Sequence, residues 1–147
     1  MTDLRKEKLK ELLMKDASLR SFGFSFASEK VEKSKVLHDA YVFTFLNKKV
    51  NRTLDFSIRN TASSNDSFLS VYIFNEKNES LSIEDYLSKH KLYQERDYFR
   101  LSTYPGDSSE KVTRFFGFII SIITNNIREI ITGEKWENIP FDWHGYK

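Results

Sequence analysis

The residue types that commonly carry enzymatic chemistry are few in this sequence and widely spaced. Its three histidines are His38, His90 and His144, and none forms an HxH or HxxxH pair. A metal site would therefore need carboxylates that the fold brings in from elsewhere. Cysteine is absent, which excludes disulfides, thiolate ligands and cysteine nucleophiles. With no glycine-rich phosphate loop and no nucleophile elbow, the sequence predicts a non-catalytic protein without a metal or a cofactor.

Two closely spaced pairs of carboxylates are the remaining candidates for acid–base chemistry. Glu84 and Asp85 lie at the expected start of a helix, where the helix dipole favours acidic side chains. Glu95 and Asp97 lie in a charged connection. Each pair has a structural explanation, so we interpret these four acids as surface positions available to a partner.

The elements that must position these groups are organised around residues 112–131, the longest apolar segment with helical spacing. Asp107 and Glu110 predict a capping box in front of it, and Gly133 is placed to end the helix. The uninterrupted apolar run is shorter than the roughly 20 residues of a membrane span. We predict a long, mostly buried helix and no membrane association.

Upstream of this helix the hydrophobic residues alternate, which is typical of β-strands. In the first strand, residues 22–26, phenylalanines occupy one side. Gly23, Ser25 and Ala27 on the other side predict a helix, or a ligand, close to the backbone. Three further strands are predicted at residues 41–46, 53–59 and 68–74. Short polar turns separate the strands, so we predict an antiparallel meander.

Three shorter elements complete the prediction. The leucines near the N-terminus indicate an amphipathic helix to about Lys15, and Ser82 caps a short helix that ends near Lys89. Residues 98–101 are predicted to form an edge strand. The fold class is α+β: an antiparallel β-meander of about four or five strands packed against an N-terminal helix, a short middle helix and a long C-terminal helix. We expect a single domain covering residues 1–147.

Charge and composition limit the function classes. The net charge is +2, and 30% of the residues are charged. No signal-peptide hydrophobic region follows Met1. We therefore expect a cytoplasmic protein. The sequence does not specify an oligomeric state.

Single-stranded nucleic-acid binding is the alternative function, because the predicted sheet carries many aromatic residues and has cations near its rim. The aromatic residues are Tyr41, Phe43, Phe45, Tyr72 and Phe74. The same pattern is typical of core strands buried under helices, and the basic excess is smaller than nucleic-acid binders usually show. We favour the core interpretation.

The C-terminal residues 133–147, GEKWENIPFDWHGYK, combine tryptophan and tyrosine with charged residues. Such a segment either seals one end of the core or anchors a protein interface, for which Trp and Tyr are favoured. We include the tail in a partner-binding surface predicted from the sequence. Its residues are Asp55, Arg59, Glu84, Asp85, Glu95, Asp97, Trp143 and Tyr146.

Taken with the chain length and the phenylalanine-rich meander, the segment DYFRLSTYPGDSSEKV (97–112) and the closing GEKWENIPFDWHGYK make the chain similar to small bacterial immunity proteins. These proteins neutralise the toxic C-terminal domain of polymorphic or contact-dependent growth inhibition effectors. The resemblance implies a non-catalytic inhibitor that binds a cognate toxin domain, often across its active site. The sequence pI of ≈ 8.7 argues against inhibition by nucleic-acid mimicry, for which acidic proteins are used.

Overall fold

The computed structural model describes residues 4–33, 39–59 and 69–139. Within them the helices are α1 (Leu4–Lys15), α2 (Ala17–Ser21), α3 (Ile83–Lys89), α4 (Tyr93–Asp97), α5 (Ser108–Asn125) and α6 (Arg128–Ile131), with a 3-10 turn at Leu101–Thr103. The strands are β1 (Ser25–Glu32), β2 (Ala40–Asn47), β3 (Arg52–Arg59), β4 (Leu69–Phe74) and β5 (Ser80–Ser82). None of the described helices combines the length and the apolarity needed to cross a membrane.

These strands form one antiparallel sheet in the order β1-β2-β3-β4-β5, which confirms the predicted meander and the α+β class. One side of the sheet, which we call the packed face, joins residues of α1, α3 and α5 in a single hydrophobic cluster. Its buried strand residues are Phe43, Phe45, Leu54, Phe56, Ile58, Leu69, Val71, Ile73 and Leu81. The N-terminal and middle helices end where the sequence predicts.

The opposite side, which we call the outer face, carries a cross-strand row that consists of Thr44, Asp55, Tyr72 and Ser82. Residues directly opposite each other in a sheet share a face, so this register places Tyr72 on the outer face and Phe43 and Phe45 on the packed face. Phe43 and Phe45 are only 0% and 4% exposed. The aromatic residues that the nucleic-acid alternative would use are therefore divided between the two faces, because those of β2 and β4 alternate out of phase. The core interpretation of Phe43 and Phe45 is confirmed.

The chain between α1 and β2 differs from the strand predicted over residues 22–26. The Asp16 side chain accepts a hydrogen bond of 2.7 Å from the backbone N–H of Leu19 and caps α2, so β1 begins only at Ser25. Ser25 and Ala27 are exposed. The prediction of a helix packed on these small residues is therefore wrong. A β-bulge at residues 26–28 adds to the error, because it interrupts the alternation on which the prediction depended.

Residues 98–101 do not form the predicted edge strand. The chain forms α4 and then the 3-10 turn. Phe99 and Leu101 are buried while Tyr98 between α4 and the turn is 51% exposed, a pattern that resembles strand alternation in the sequence. This burial pattern arises because Phe99 packs on Phe115 of α5, with ring centroids 5.2 Å apart in an edge-to-face pair.

Helix α5 begins as predicted and ends earlier. Asp107 Oδ1 accepts from the backbone N–H of Glu110 at 2.9 Å, and Glu110 Oε1 accepts from that of Asp107 at 3.4 Å, which completes the capping box. The helix stops at Asn125 instead of reaching residue 131 and resumes as α6, because consecutive asparagines are poor helix formers. Gly133, with φ of +84°, has the left-handed conformation expected after a helix end.

Candidate functional site

The residues predicted to bind a partner fall into separate places. Asp55 and Arg59 lie in β3, Glu84 and Asp85 in the first turn of α3, and Glu95 and Asp97 in α4; Trp143 and Tyr146 lie outside the described residues. Helices α3 and α4 contact each other. Four of the predicted acids therefore share one region, and the β3 pair belongs to another.

In the β3 group, the side chain of Asp55 is already engaged. Thr44 Oγ1 donates a hydrogen bond of 2.7 Å to Asp55 Oδ1 across the outer face, and both residues are half-buried. Arg59 ends β3 and pairs with Ala40, and its side chain lies outside the described part of the chain. Asp55 thus orders a polar strip beside Tyr72 on the outer face.

The acids of α3 combine a structural role with an altered proton affinity. The backbone N–H of Asp85 donates to Ser82 Oγ at 3.0 Å, which caps the helix. Glu84 is exposed as a residue, but its carboxyl group is partly buried, and this burial raises the pKa of the carboxyl. The positive charges of Arg100 and Arg96 act in the other direction and lower that pKa, but less strongly. Glu84 therefore lies close enough to the α4 segment to share its electrostatic environment.

Two large aromatic side chains project from α4 and its C-terminal cap. Tyr93 is 47% exposed and Tyr98 is 51% exposed. The Arg96 guanidinium lies 4.9 Å from the centroid of the Tyr93 ring, a distance typical of a cation–π contact. Glu95 and Asp97 flank this arginine in the sequence. We call Tyr93, Glu95, Arg96, Asp97 and Tyr98 the α4 surface.

Tyr98 is held in place by contacts with Tyr104 and with Phe118 of α5. Its ring centroid lies 6.0 Å from that of Phe118 and 6.4 Å from that of Tyr104. The Tyr104 hydroxyl donates to the backbone carbonyl of Tyr98 at 2.6 Å, and burial raises the pKa of that hydroxyl. Thr103 Oγ1 donates to the carbonyl of Asp97 at 3.0 Å. The C-terminal end of α4 is thus ordered before any partner arrives.

Arg96 keeps hydrogen-bonding capacity that its surroundings do not use. Its NH1 group donates to Ser88 Oγ at 3.4 Å. Its Nε is buried and has no hydrogen-bond partner among the described residues. Five N–H donors in a planar fork suit a carboxylate or carbonyl acceptor. Because Nε is buried, an incoming partner can reach only the terminal nitrogens of this half-buried guanidinium.

A second polar cluster fastens the C-terminal segment to α3. Glu137 Oε2 lies 2.6 Å from His90 Nε2 and 3.0 Å from Lys89 Nζ. Burial alone would raise the pKa of Glu137, but the hydrogen bonds from Lys89 and His90 outweigh it and lower that pKa. This cluster brings one histidine to one carboxylate. Within residues 4–33, 39–59 and 69–139, no three His, Asp or Glu residues gather as a metal site would require; His38 and His144 lie outside them.

Two clefts flank the turn between β2 and β3. One of ≈ 160 Å³ is lined in part by Arg52 and Glu76. The other, an open groove of ≈ 530 Å³, runs beside Ser25 and Ala27 to Lys48. Neither cleft brings a histidine to a carboxylate, so neither provides an acid–base pair.

The sequence reasoning selected the acids of this region and missed Tyr93, Arg96 and Tyr98. A strand prediction over residues 98–101 concealed the helix that presents them. The available signal was the spacing of Tyr93 and Arg96, three residues apart, which places both on one side of a helix.

Comparison with known protein families, with curated protein sequences and with solved structures yields no significant match. Function must therefore be inferred from the surface of this chain itself.

Proposed function

We propose that this protein is a non-catalytic binding protein, an immunity-type inhibitor that binds and neutralises a cognate toxin domain through the α4 surface. The observation that carries the proposal is the exposure of Tyr93 and Tyr98, at 47% and 51%, on either side of Arg96. Acting as such an inhibitor, the protein would meet its toxin in the cytoplasm of a bacterial cell.

The composition of the α4 surface supports a protein partner. Tyrosine and arginine are enriched among the few residues that dominate binding energy at protein interfaces. Tyr98 is already packed against Tyr104 and Phe118. Little side-chain entropy remains to be lost when it is covered, and preorganisation of this kind improves affinity.

The charges of this region favour a partner of mixed charge over a nucleic acid. The charges of Arg100 and Arg96 act on the Glu84 carboxyl beside Asp85, and Glu95 and Asp97 flank Arg96 in the sequence. A phosphate backbone selects cations and is repelled by carboxylates, whereas a protein surface can pair with both signs and so fix one orientation. Burial of Phe43 and Phe45 also removes two of the rings on which bases would have stacked.

The test is calorimetric titration of the full chain with the product of the adjacent gene, which the proposal expects to contain the toxin-like domain. We expect Tyr93→Ala/Tyr98→Ala to weaken binding by at least about 2 kcal/mol, roughly 30-fold, because both rings act as anchors. The matched control is Tyr72→Ala on the outer face, where the tyrosine is 38% exposed, and it should leave the affinity unchanged. Wild-type protein that does not bind, or a double variant that binds like wild type, contradicts the proposal.

A further inference from the structure

Strand β1 is an edge of the sheet that offers its full length to solvent. In the described part of the chain its one strand neighbour is β2, and each of its eight residues is exposed. Val31 is 45% exposed and Phe26 is 40% exposed. The other edge, β5, has three residues and continues directly into α3. An edge strand has a row of backbone N–H and C=O groups without ladder partners, so β1 can accept a further strand.

The regular part of β1 is short and well defined. The bulge at residues 26–28 ends the regular pairing on one side, and from Ser28 to Glu32 each residue pairs in order with β2. Proteins commonly place charges on edge strands to discourage pairing. The charges alternate in sign around a central valine, as Glu29, Lys30, Val31 and Glu32 in β1 and Lys33 directly after it.

This alternation is complementary to itself in one antiparallel register. With Val31 opposite Val31 of a second copy, Lys30 faces Glu32 of that copy. Glu29 and Lys33 also face each other, although within one copy Glu29 pairs with Lys6 and Lys10 of α1, and Lys33 pairs with Asp39. Directly opposed residues of opposite charge stabilise an antiparallel pair. A twofold axis through Val31, perpendicular to the sheet, keeps the packed faces of both copies on the same side.

Repulsion between like charges disfavours the neighbouring symmetric registers. An axis through Glu29 or Glu32 places two carboxylates against each other, and an axis through Lys30 places two ammonium groups against each other. Like charges directly opposed are destabilising. The sequence of β1 therefore specifies the register that is centred on Val31.

We propose that two copies of this protein associate through antiparallel pairing of their β1 strands, with Val31 on the twofold axis, to form one continuous sheet across the dimer. The second copy is identified as the occupant by the self-complementary charges. This pairing is independent of the toxin partner proposed above. A ladder of about five residues covers less surface than a standard interface, so we expect a weak dimer with a Kd on the order of 100 µM.

Sedimentation equilibrium of the full chain, up to about 1 mM, tests the pairing, since the monomer has a mass of 17.4 kDa. Lys30→Glu and Glu32→Lys should each weaken the dimer by about tenfold or more, because each puts like charges opposite one another twice. The combined variant Lys30→Glu/Glu32→Lys restores opposite charges in the same register and should return the Kd to near the wild-type value.

Two further variants, a control and a disruption of the axis, test the pairing without exchanging Lys30 and Glu32. Lys77→Glu makes the same charge change in the exposed turn after β4 and should leave the Kd unchanged. Val31→Lys places two ammonium groups on the axis and should abolish dimers, while melting temperatures report that every variant is folded. A wild-type protein that stays monomeric overturns the proposal. The proposal is also overturned if Val31→Lys still forms dimers, or if the Lys30→Glu/Glu32→Lys variant does not recover the wild-type Kd.

Discussion

Arg52 and Arg96 each lie over an aromatic ring, and their surroundings differ. The Arg52 guanidinium lies 5.2 Å from the ring centroid of Trp136, and Arg96 lies 4.9 Å from that of Tyr93. Arg52 is only 5% exposed, whereas Arg96 is half-buried beside an exposed tyrosine. The cation–π geometry is nearly the same, so the difference in role must come from the other partners of each guanidinium.

Arg52 is saturated with acceptors from distant parts of the chain. Its Nε donates to the carbonyl of Ile130 at 2.7 Å, and its NH2 donates to the carbonyl of Lys135 at 3.1 Å. Its NH1 lies 3.3 Å from Glu76 Oε2. One side chain therefore joins the start of β3 to the turn after β4 and to the C-terminal segment. Arg96, whose Nε has no acceptor among the described residues, joins little. A saturated arginine stabilises the fold, and the terminal nitrogens of an arginine with few internal partners can bind an acceptor on another protein.

The largest expected effect is on stability. Arg52→Met should lower the free energy of unfolding by about 3 kcal/mol, because it removes the guanidinium that donates to the carbonyls of Ile130 and Lys135 and pairs with Glu76. Urea denaturation measures this change. Arg96→Met is the matched control and should cost less than about 1 kcal/mol. Equal losses for the two variants would remove the distinction between the arginines.

The next effect concerns the turn that presents the Lys135 carbonyl to Arg52. Gly133 has φ of +84°, and a Cβ there would lie 2.9 Å from Val50 Cβ. We expect Gly133→Ala to cost roughly 2 kcal/mol in thermal or urea unfolding. Gly117 on α5 has nothing within 4 Å of an added Cβ, so Gly117→Ala should stabilise the helix by about 0.5–1 kcal/mol. A neutral Gly133→Ala would show that this turn does not constrain the segment.

A smaller effect is expected on recognition. Arg96→Met should reduce affinity for the toxin-like partner by about tenfold, or 1.4 kcal/mol, because a charge-assisted hydrogen bond to the partner is lost. Calorimetric titration measures it. Arg96→Lys, which keeps the charge and loses the planar fork, should fall between methionine and wild type. Wild-type affinity in the methionine variant would exclude Arg96 from the interface.

The smallest effect is the pH dependence that Glu137 contributes. The pKa of Glu137 is lowered in the folded protein, so its stabilisation is present above the unfolded value of 4.5 and is lost as pH falls through the lower folded value. Glu137→Gln should therefore cost less than about 1 kcal/mol at pH 7, and this difference from wild type should be smaller at about pH 3, below the unfolded value. Urea titrations at the two pH values measure it. A difference that is undiminished in acid contradicts the ion-pair explanation.

The sequence predicted the parts of the fold that local chemistry determines. The strands β3 and β4 alternate over six or more residues, and β2 is apolar on both faces, as a central strand should be. The Asp107 cap and Gly133 mark helix ends by side-chain and backbone preferences. These signals act within a few residues, so they can be read without knowing the rest of the molecule.

The remaining features depend on tertiary contacts. The burial of Phe99 against Phe115 imitates strand alternation, and the bulge in β1 shifts the phase of its side chains. The role of Arg52 is invisible in sequence, because its acceptors lie 78 and 83 residues away. The acids of the candidate site were predicted from composition, while Tyr93 and Tyr98 needed the α4 helix to be recognised.

The most direct test of the α4 surface is site-specific photocrosslinking of the full chain to the toxin-like domain. A benzophenone amino acid that replaces Tyr98, which is 51% exposed, should yield a covalent complex with that domain. The same amino acid at Tyr72, which is 38% exposed on the outer face, should yield none. Crosslinking from position 72 and not from position 98 would contradict the assignment of α4 as the binding surface.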